Sequence, residues 1–303
     1  MVFLKRIFLF LLINFLIITT ISIILSLLNL GPVLSEHGFN YLNLMLFCLI
    51  WGMGGAFLSL LLSKSMAKWM MGVKTIESKT VSSEEQKLIY FIEELSRKAG
   101  LKKNPEIGIY PSHEINAFAT GFSQNHALVA VSNGLLKHLD KEEIKAVLAH
   151  EISHIANGDM ITMTLLQGII NAFVMFLARI FAHALASLGR GKSKSPSYGS
   201  YHFFVFLFQT LFMVLGSLVL AAFSRRREYK ADKGGAMLAG KERMIAALKA
   251  LRVTSEIKDG YSEKAAFQAF KISAPKKHGL LYLFATHPSL EERIERLENE
   301  SYL

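Results

Sequence analysis

In "AHEISHIANGD", residues 149–159, His150 and His154 stand four residues apart with Glu151 between them. On a helix, positions i and i+4 share a face one turn apart, so both imidazoles can reach a single metal ion. Glu151 sits about 100° round the helix from His150, close enough to touch a water at that metal without being a ligand. Zinc suits two imidazoles and a carboxylate, lowers the pKa of bound water to about 7 and polarises a carbonyl. Glu151 would take the proton from that water and pass it to a leaving amine. The bland alternative is two histidines on an ordinary surface helix. The local context opposes it: Asp140 with Glu143 has the spacing of a capping box, Ile144, Val147, Leu148, Ile152 and Ile155 form an inward stripe, and Gly158 is a natural stop.

Two ligands are too few. The extended pattern H-E-x-x-H-x-x-G-x-x-H is excluded, because Asn157 and Met160 occupy its glycine and last histidine positions. Cys48 is the one cysteine, so no thiolate cluster can complete the site. The best candidate for a third ligand is Glu228, in "FSRRREYKADKGGAML", with Asp232 one helical turn beyond it. An acid at Asp232 can accept the free N–H of a ligating histidine. Spacing alone leaves this open against two solvated acids pairing with Arg225 or Lys230. His287, in "FATHPSLEERI", reads either as a donor to an oxyanion or as a loop histidine before a proline.

The elements that must carry these residues alternate between apolar and water-soluble patterns. The chain has 303 residues, of which 51% are hydrophobic, and a net charge of +10. The apolar excess lies in long runs, which points to a membrane protein. Basic residues beside those runs account for the charge better than nucleic acid does, since no basic block is interleaved with aromatics. Residues 1–70 read as a transmembrane hairpin, built from the charge-free runs Ile7–Leu30 and Tyr41–Ser63. Lys5 and Arg6 precede it and Lys64, Lys68 and Lys74 follow it, which puts both ends in the cytoplasm.

Residues 71–158 form the first part of the catalytic domain. A helix capped by Ser82 or Ser83 and ended by Gly100 comes first. "PEIGIY", "INAFAT" and "ALVAVSNGLL" are expected as short strands, with a turn through Ser123, Gln124 and Asn125, and the motif helix follows. Residues 159–223 read as a second hydrophobic hairpin. Its first arm, Ile161–Leu188, is a doubtful span because it contains Gln167, Asn171, Arg179 and His183. Its second arm, Phe203–Phe223, is cleaner. Residues 224–303 form the second part of the catalytic domain and end in an amphipathic helix. An intramembrane protease is disfavoured by the charged flanks of the motif helix, and a scaffold with structural zinc by the presence of Glu151. A transporter would need paired broken helices, at which only the third run hints.

"NAFATG", "HEISH", "NGDMITMTLLQG", "SRRREYKAD" and "ATHPSLEERI", in this order behind an apolar hairpin, resemble the HtpX-type membrane zinc endopeptidases. More distantly they resemble the prenyl-protein proteases of the same gluzincin superfamily. The resemblance covers nearly the whole chain. It implies one zinc per chain, held by His150, His154 and Glu228, with Glu151 as the catalytic base. It implies that Asp232 stands behind a histidine ligand and that His287 acts in the transition state with Arg293 supporting. It also places "NAFATG" on an edge strand, with Asn116, Ala117 and Phe118 toward the substrate. An edge strand has free N–H and C=O groups, so an extended peptide can add to it through its backbone. The expected fold is a mainly α membrane protein: transmembrane helices with an α+β zincin (gluzincin) catalytic domain carrying a small sheet. Its expected partners are protein substrates, above all damaged membrane proteins, and the lipid bilayer, with no nucleic acid. Its expected location is the bacterial inner membrane, with the active site facing the cytoplasm.

Overall fold

The computed structural model describes residues 40–76, 82–187, 198–258 and 280–300. The run Ile7–Leu30, and with it the first arm of the expected N-terminal hairpin, lies outside the described residues. The chain divides into two units.

The first unit comprises residues 1–58 and 164–217. Among the described residues three helices are long and apolar enough to cross a membrane, α1 (Tyr41–Met71), α5 (Asp159–Ser187) and α6 (Tyr198–Ala239), and the first unit holds the part of each that falls within its bounds. By length and composition the arm with polar residues is a candidate span like the other two. Three of its polar side chains are satisfied along the helix itself. Gln167 donates to Asn171 Oδ1 at 2.8 Å, and Arg179 donates to the Met175 carbonyl at 2.9 Å with its guanidinium over the Phe47 ring. Local pairing of this kind lowers the cost of polar groups in lipid. Small residues bring the helices close: a Cβ at Gly52 would lie 2.5 Å from the Ala172 backbone nitrogen.

The second unit, residues 59–163 and 218–303, holds the chemistry. Helix α2 (Ser83–Lys98) starts at a capping box in which Ser82 and Glu85 bond reciprocally. Strands β1 (Lys74–Thr75), β2 (Glu106–Tyr110), β3 (Ala117–Thr120) and β4 (Leu128–Ser132) make one sheet in the order β1-β2-β4-β3. β2 and β4 are parallel, and the two outer pairings are antiparallel. The expected third strand is shorter than its sequence suggested. Ser132 accepts from the Leu135 N–H, and "NGLLKH" becomes helix α3 (Asn133–His138). A side-chain cap outcompetes strand continuation there.

The motif helix α4 (Lys141–Asn157) packs on one face of the sheet. Val129, Val131 and Ala117 point toward it, while Leu128, Ala130, Phe118 and Tyr110 point to the other face, against Ala67 and Val73. This is the alternation a two-sided strand requires. Helices α7 (Lys241–Lys258) and α8 (Leu290–Asn299) close the core around α4 through Met244, Leu248, Leu290, Ile294 and Leu297.

Candidate metal centre

Helix α4 has the expected ends. Asp140 caps it, accepting from the Glu142 and Glu143 N–H groups, and Gly158 ends it at φ 65°. Between these ends His150, Glu151 and His154 are buried, at 3%, 4% and 9% exposure. A surface-helix origin for this pair of histidines is thereby excluded. Burying three polar side chains side by side is costly unless each finds a partner.

Their Nε2 atoms lie 3.1 Å apart. Glu228, fully buried on α6, offers one oxygen to each: Oε2 is 3.4 Å from His150 Nε2, and Oε1 is 3.3 Å from His154 Nε2. Two ligands about 2.0–2.1 Å from a tetrahedral zinc are about 3.3 Å apart, so this triangle fits three corners of such a site. His287 Nδ1 approaches Glu228 Oε2 to 2.9 Å. Distance alone would make this a hydrogen bond, but its geometry does not: neither buried atom has a hydrogen-bond partner. Two buried polar atoms left without a hydrogen bond beside the histidine pair fit an ion or substrate site.

Behind the histidines stand two carboxylates. Asp232 Oδ1 is 3.0 Å from His150 Nδ1, and Asp159 Oδ2 is 2.7 Å from His154 Nδ1. Each carboxylate accepts an Nδ1–H and so turns the Nε2 lone pair inward. Arg293, itself buried, grips both oxygens of Asp232. Burial alone would raise the Asp232 carboxyl, but the Arg293 guanidinium, with help from His150, holds it down to about 2. Burial likewise opposes ionisation of Glu228, yet His287, His154 and His150 keep it well below the usual carboxylate range. At Glu151 burial prevails: its carboxyl is pushed up although His150 and His154 pull the other way.

The close approach of α6 to α4 depends on glycine. A Cβ on Gly234 would lie 2.0 Å from Ser153 Oγ and 2.9 Å from Ser153 Cβ, and one on Gly235 would press the His150 backbone. The arrival of His287 is fixed from α6 as well. Arg225 donates to the carbonyls of Leu283 at 3.0 Å and Ala285 at 2.8 Å. Ser289 then caps α8, which presents Arg293.

The structure thus brings His150, Glu151, His154, Glu228, Asp232, His287 and Arg293 into one cluster. Arg293 spends its charge on Asp232 and reaches the metal side through His150. Asn116, Ala117 and Phe118 sit at the start of β3, which among the described residues pairs with β4 alone. Asn116 is anchored by exchange with Ser132, whose Oγ accepts its N–H at 3.1 Å. Phe118 turns away from α4 and packs at a tilt against Tyr110, with ring centroids 5.6 Å apart. Asp159 escaped the sequence reading, which took it as a polar flank. Its signal was the glycine before it: a left-handed residue at 158 turns the next side chain back toward His154.

A sequence profile described as "Peptidase family M48" matches residues 82–301. "Protease HtpX homolog" of Bacillus licheniformis is 51% identical over 303 residues, covering 97% of this chain and 99% of the relative. The protein of the same description from Bacillus subtilis is 49% identical with the same coverage. "Protease HtpX" of Acinetobacter baylyi is 44% identical over 298 residues, covering 97% of this chain and 98% of the relative. Among solved structures, the fold is similar to the crystal structure of S. mikatae Ste24p, with a TM-score of 0.57 at 18% identity, covering 92% of this chain and 66% of that one.

Proposed function

The chain belongs to peptidase family M48 and is a membrane metalloprotease, and we propose that it is a zinc endopeptidase whose catalytic groups are those gathered between α4 and α6. The observation that carries this reading is the buried triangle of His150, His154 and Glu228 with Glu151 beside it. One zinc held by those three side chains would supply a Lewis acid and a more acidic water. Glu151 takes the proton of the attacking water and delivers it to the leaving amine. Burial raises its carboxyl, which favours passing that proton on. His287 donates to the substrate oxygen as negative charge grows there, an interaction that strengthens only in the transition state. Asp232, held by Arg293, and Asp159 keep the two imidazoles oriented. The outer edge of β3, from Asn116 through Phe118, last in the strand order among the described residues, receives an extended substrate through its backbone. The burial of Ala117 and Phe118 agrees with recognition by main chain rather than side chain.

The proposed substrates are damaged or misfolded membrane proteins, cut at the cytoplasmic face of the bacterial inner membrane as part of quality control under stress. Backbone recognition supports this, because it tolerates many sequences. Basic residues where the apolar runs of α1 and α6 end, Lys64 and Lys68 in the one and Arg225, Arg226 and Arg227 in the other, support the cytoplasmic orientation.

Glu151→Gln tests the mechanism. It should keep stoichiometric zinc and lose roughly 10²–10⁴-fold in cleavage of a protein substrate. Near-normal cleavage by this variant removes Glu151 as the base. Orientation is tested separately by labelling a Ser193→Cys chain in a Cys48→Ser background, with Ser78→Cys as the reference. Ser78→Cys should react with an impermeant reagent only after lysis; reaction from outside would overturn the cytoplasmic placement.

A further inference from the structure

Helix α6 changes character over a few residues. Its apolar run ends at Phe223, and Arg225, Arg226 and Arg227 follow Ser224. Val219 and Phe223 are exposed on the last turns of that run, and Arg226 is exposed beyond it. An exposed apolar face that gives way to a basic collar marks the level where a helix leaves the bilayer.

A second segment is held at the same level. The 3₁₀ turn Leu280–Phe284 is tied to α6 by Arg225, whose Nη1 donates to the Leu283 and Ala285 carbonyls. The Arg225 guanidinium also lies over the Tyr282 ring, 5.5 Å from its centroid. Tyr282 in turn donates to Glu292 Oε2 at 2.6 Å, closing the loop onto α8. With the backbone fixed from both sides, Leu283 and Phe284 still project outward, 44% and 39% exposed. Two large apolar side chains on a rigid turn beside a membrane exit are badly placed for water and well placed for the headgroup–acyl boundary.

We propose that Leu283 and Phe284 form an interfacial foot that dips into the bilayer at the level where α6 leaves it. The partner is the lipid surface, with anionic headgroups meeting the arginine collar and acyl chains meeting the two side chains. Because His287 follows Phe284 by three residues, the foot fixes the height of that histidine above the membrane. Chain segments of membrane proteins that emerge from the bilayer then meet the site at a constant distance.

The foot is tested without reference to proteolysis. Phe284→Trp is placed in a chain whose two native tryptophans are removed by Trp51→Phe and Trp69→Phe, with Glu151→Gln to prevent self-digestion. The full-length protein is reconstituted in phosphatidylcholine–phosphatidylglycerol nanodiscs, with and without lipid brominated near the top of the acyl chain. The expected result is blue-shifted emission, most of it lost with brominated lipid and protected from aqueous iodide. A depth within about 5–10 Å of the boundary is anticipated for an interfacial segment. Emission at the wavelength of tryptophan in water, quenched by iodide and indifferent to bromine, overturns the proposal. Leu283→Trp provides the same reading should Phe284→Trp fail to fold. Neither readout depends on zinc or cleavage, so failure of the foot and failure of the protease assignment are separable.

Discussion

Arg293 donates to both oxygens of Asp232, through Nε at 2.8 Å and Nη2 at 2.6 Å, and Asp232 Oδ1 lies 3.0 Å from His150 Nδ1. A buried guanidinium on the C-terminal helix therefore sets the orientation of a ligand on the motif helix. Removing one member of a buried ion pair leaves the other uncompensated, typically at a cost of about 3–5 kcal/mol. Arg293→Met is predicted to destabilise the fold by that order. It should also lower zinc affinity about 10–100-fold, as loss of an outer partner does elsewhere. Arg293→Lys, which keeps the charge but not the fork, should fall between. Competition with a chelator in the Glu151→Gln background measures this, and wild-type affinity in Arg293→Met would show that His150 needs no such support.

Asp159 holds His154 as Asp232 holds His150, but from the start of α5 rather than from a distant helix. Asp159→Asn preserves size and removes the charge. Zinc affinity is expected to drop about tenfold or more. Activity should follow occupancy and return as zinc is added in excess. A variant fully loaded yet inactive would give Asp159 a different task, closer to the substrate.

What could be read in advance was local. The capping box of Asp140 and Glu143, the stop at Gly158 and the i, i+4 histidines each involve residues within a turn or two of one another. The position of β3 at the sheet edge was not readable from its own residues, because it depends on β4 inserting between β2 and β3. Whether Glu228 was a ligand or a surface acid was likewise undecidable from spacing, since the answer lies in the crossing of α6 over α4. The polar residues of α5 find local partners that its sequence does not announce. Gln167 and Asn171 satisfy each other one turn apart, and no hydropathy pattern records that.

Glu94 joins α2 to the motif helix, with Oε2 at 2.7 Å from Lys145 Nζ and Oε1 at 2.8 Å from Lys98 Nζ. The Lys145 bond, then the Lys98 bond, hold its carboxyl down to about 2, against an ordinary 4.5. Above pH 4.5 the group is ionised in both folded and unfolded chains, and the pairing contributes in full. As pH falls from 4.5 toward 2 the unfolded chain takes up the proton first, and the contribution is lost. Glu94→Gln should therefore lower stability by on the order of 1 kcal/mol at pH 7 and by progressively less below pH 4.5. Thermal unfolding in detergent at pH 7, 4.5 and 3 checks this. An undiminished gap at pH 3 would mean that the effect comes from packing and not from charge.

Gly234 tests how the third ligand is brought to the site. A methyl group there meets Ser153 at both Oγ and Cβ, and Ser153 stands on α4 between the two histidines. Neither helix can yield easily, since α4 is buried over most of its length and Glu228 lies on α6 less than two turns before the contact. Overpacking of this kind costs roughly 1–3 kcal/mol. Here the displacement should also draw Glu228 away from His150 and His154. Gly234→Ala is predicted to lose zinc more readily than its stability loss alone would require. Ser153→Gly removes both clashing atoms, so the double variant Gly234→Ala/Ser153→Gly should recover zinc binding relative to Gly234→Ala, although a glycine within α4 itself costs about 1 kcal/mol. Zinc retention that stays low in the double variant, or never falls in the single one, would show that the ligand geometry is not set by this crossing.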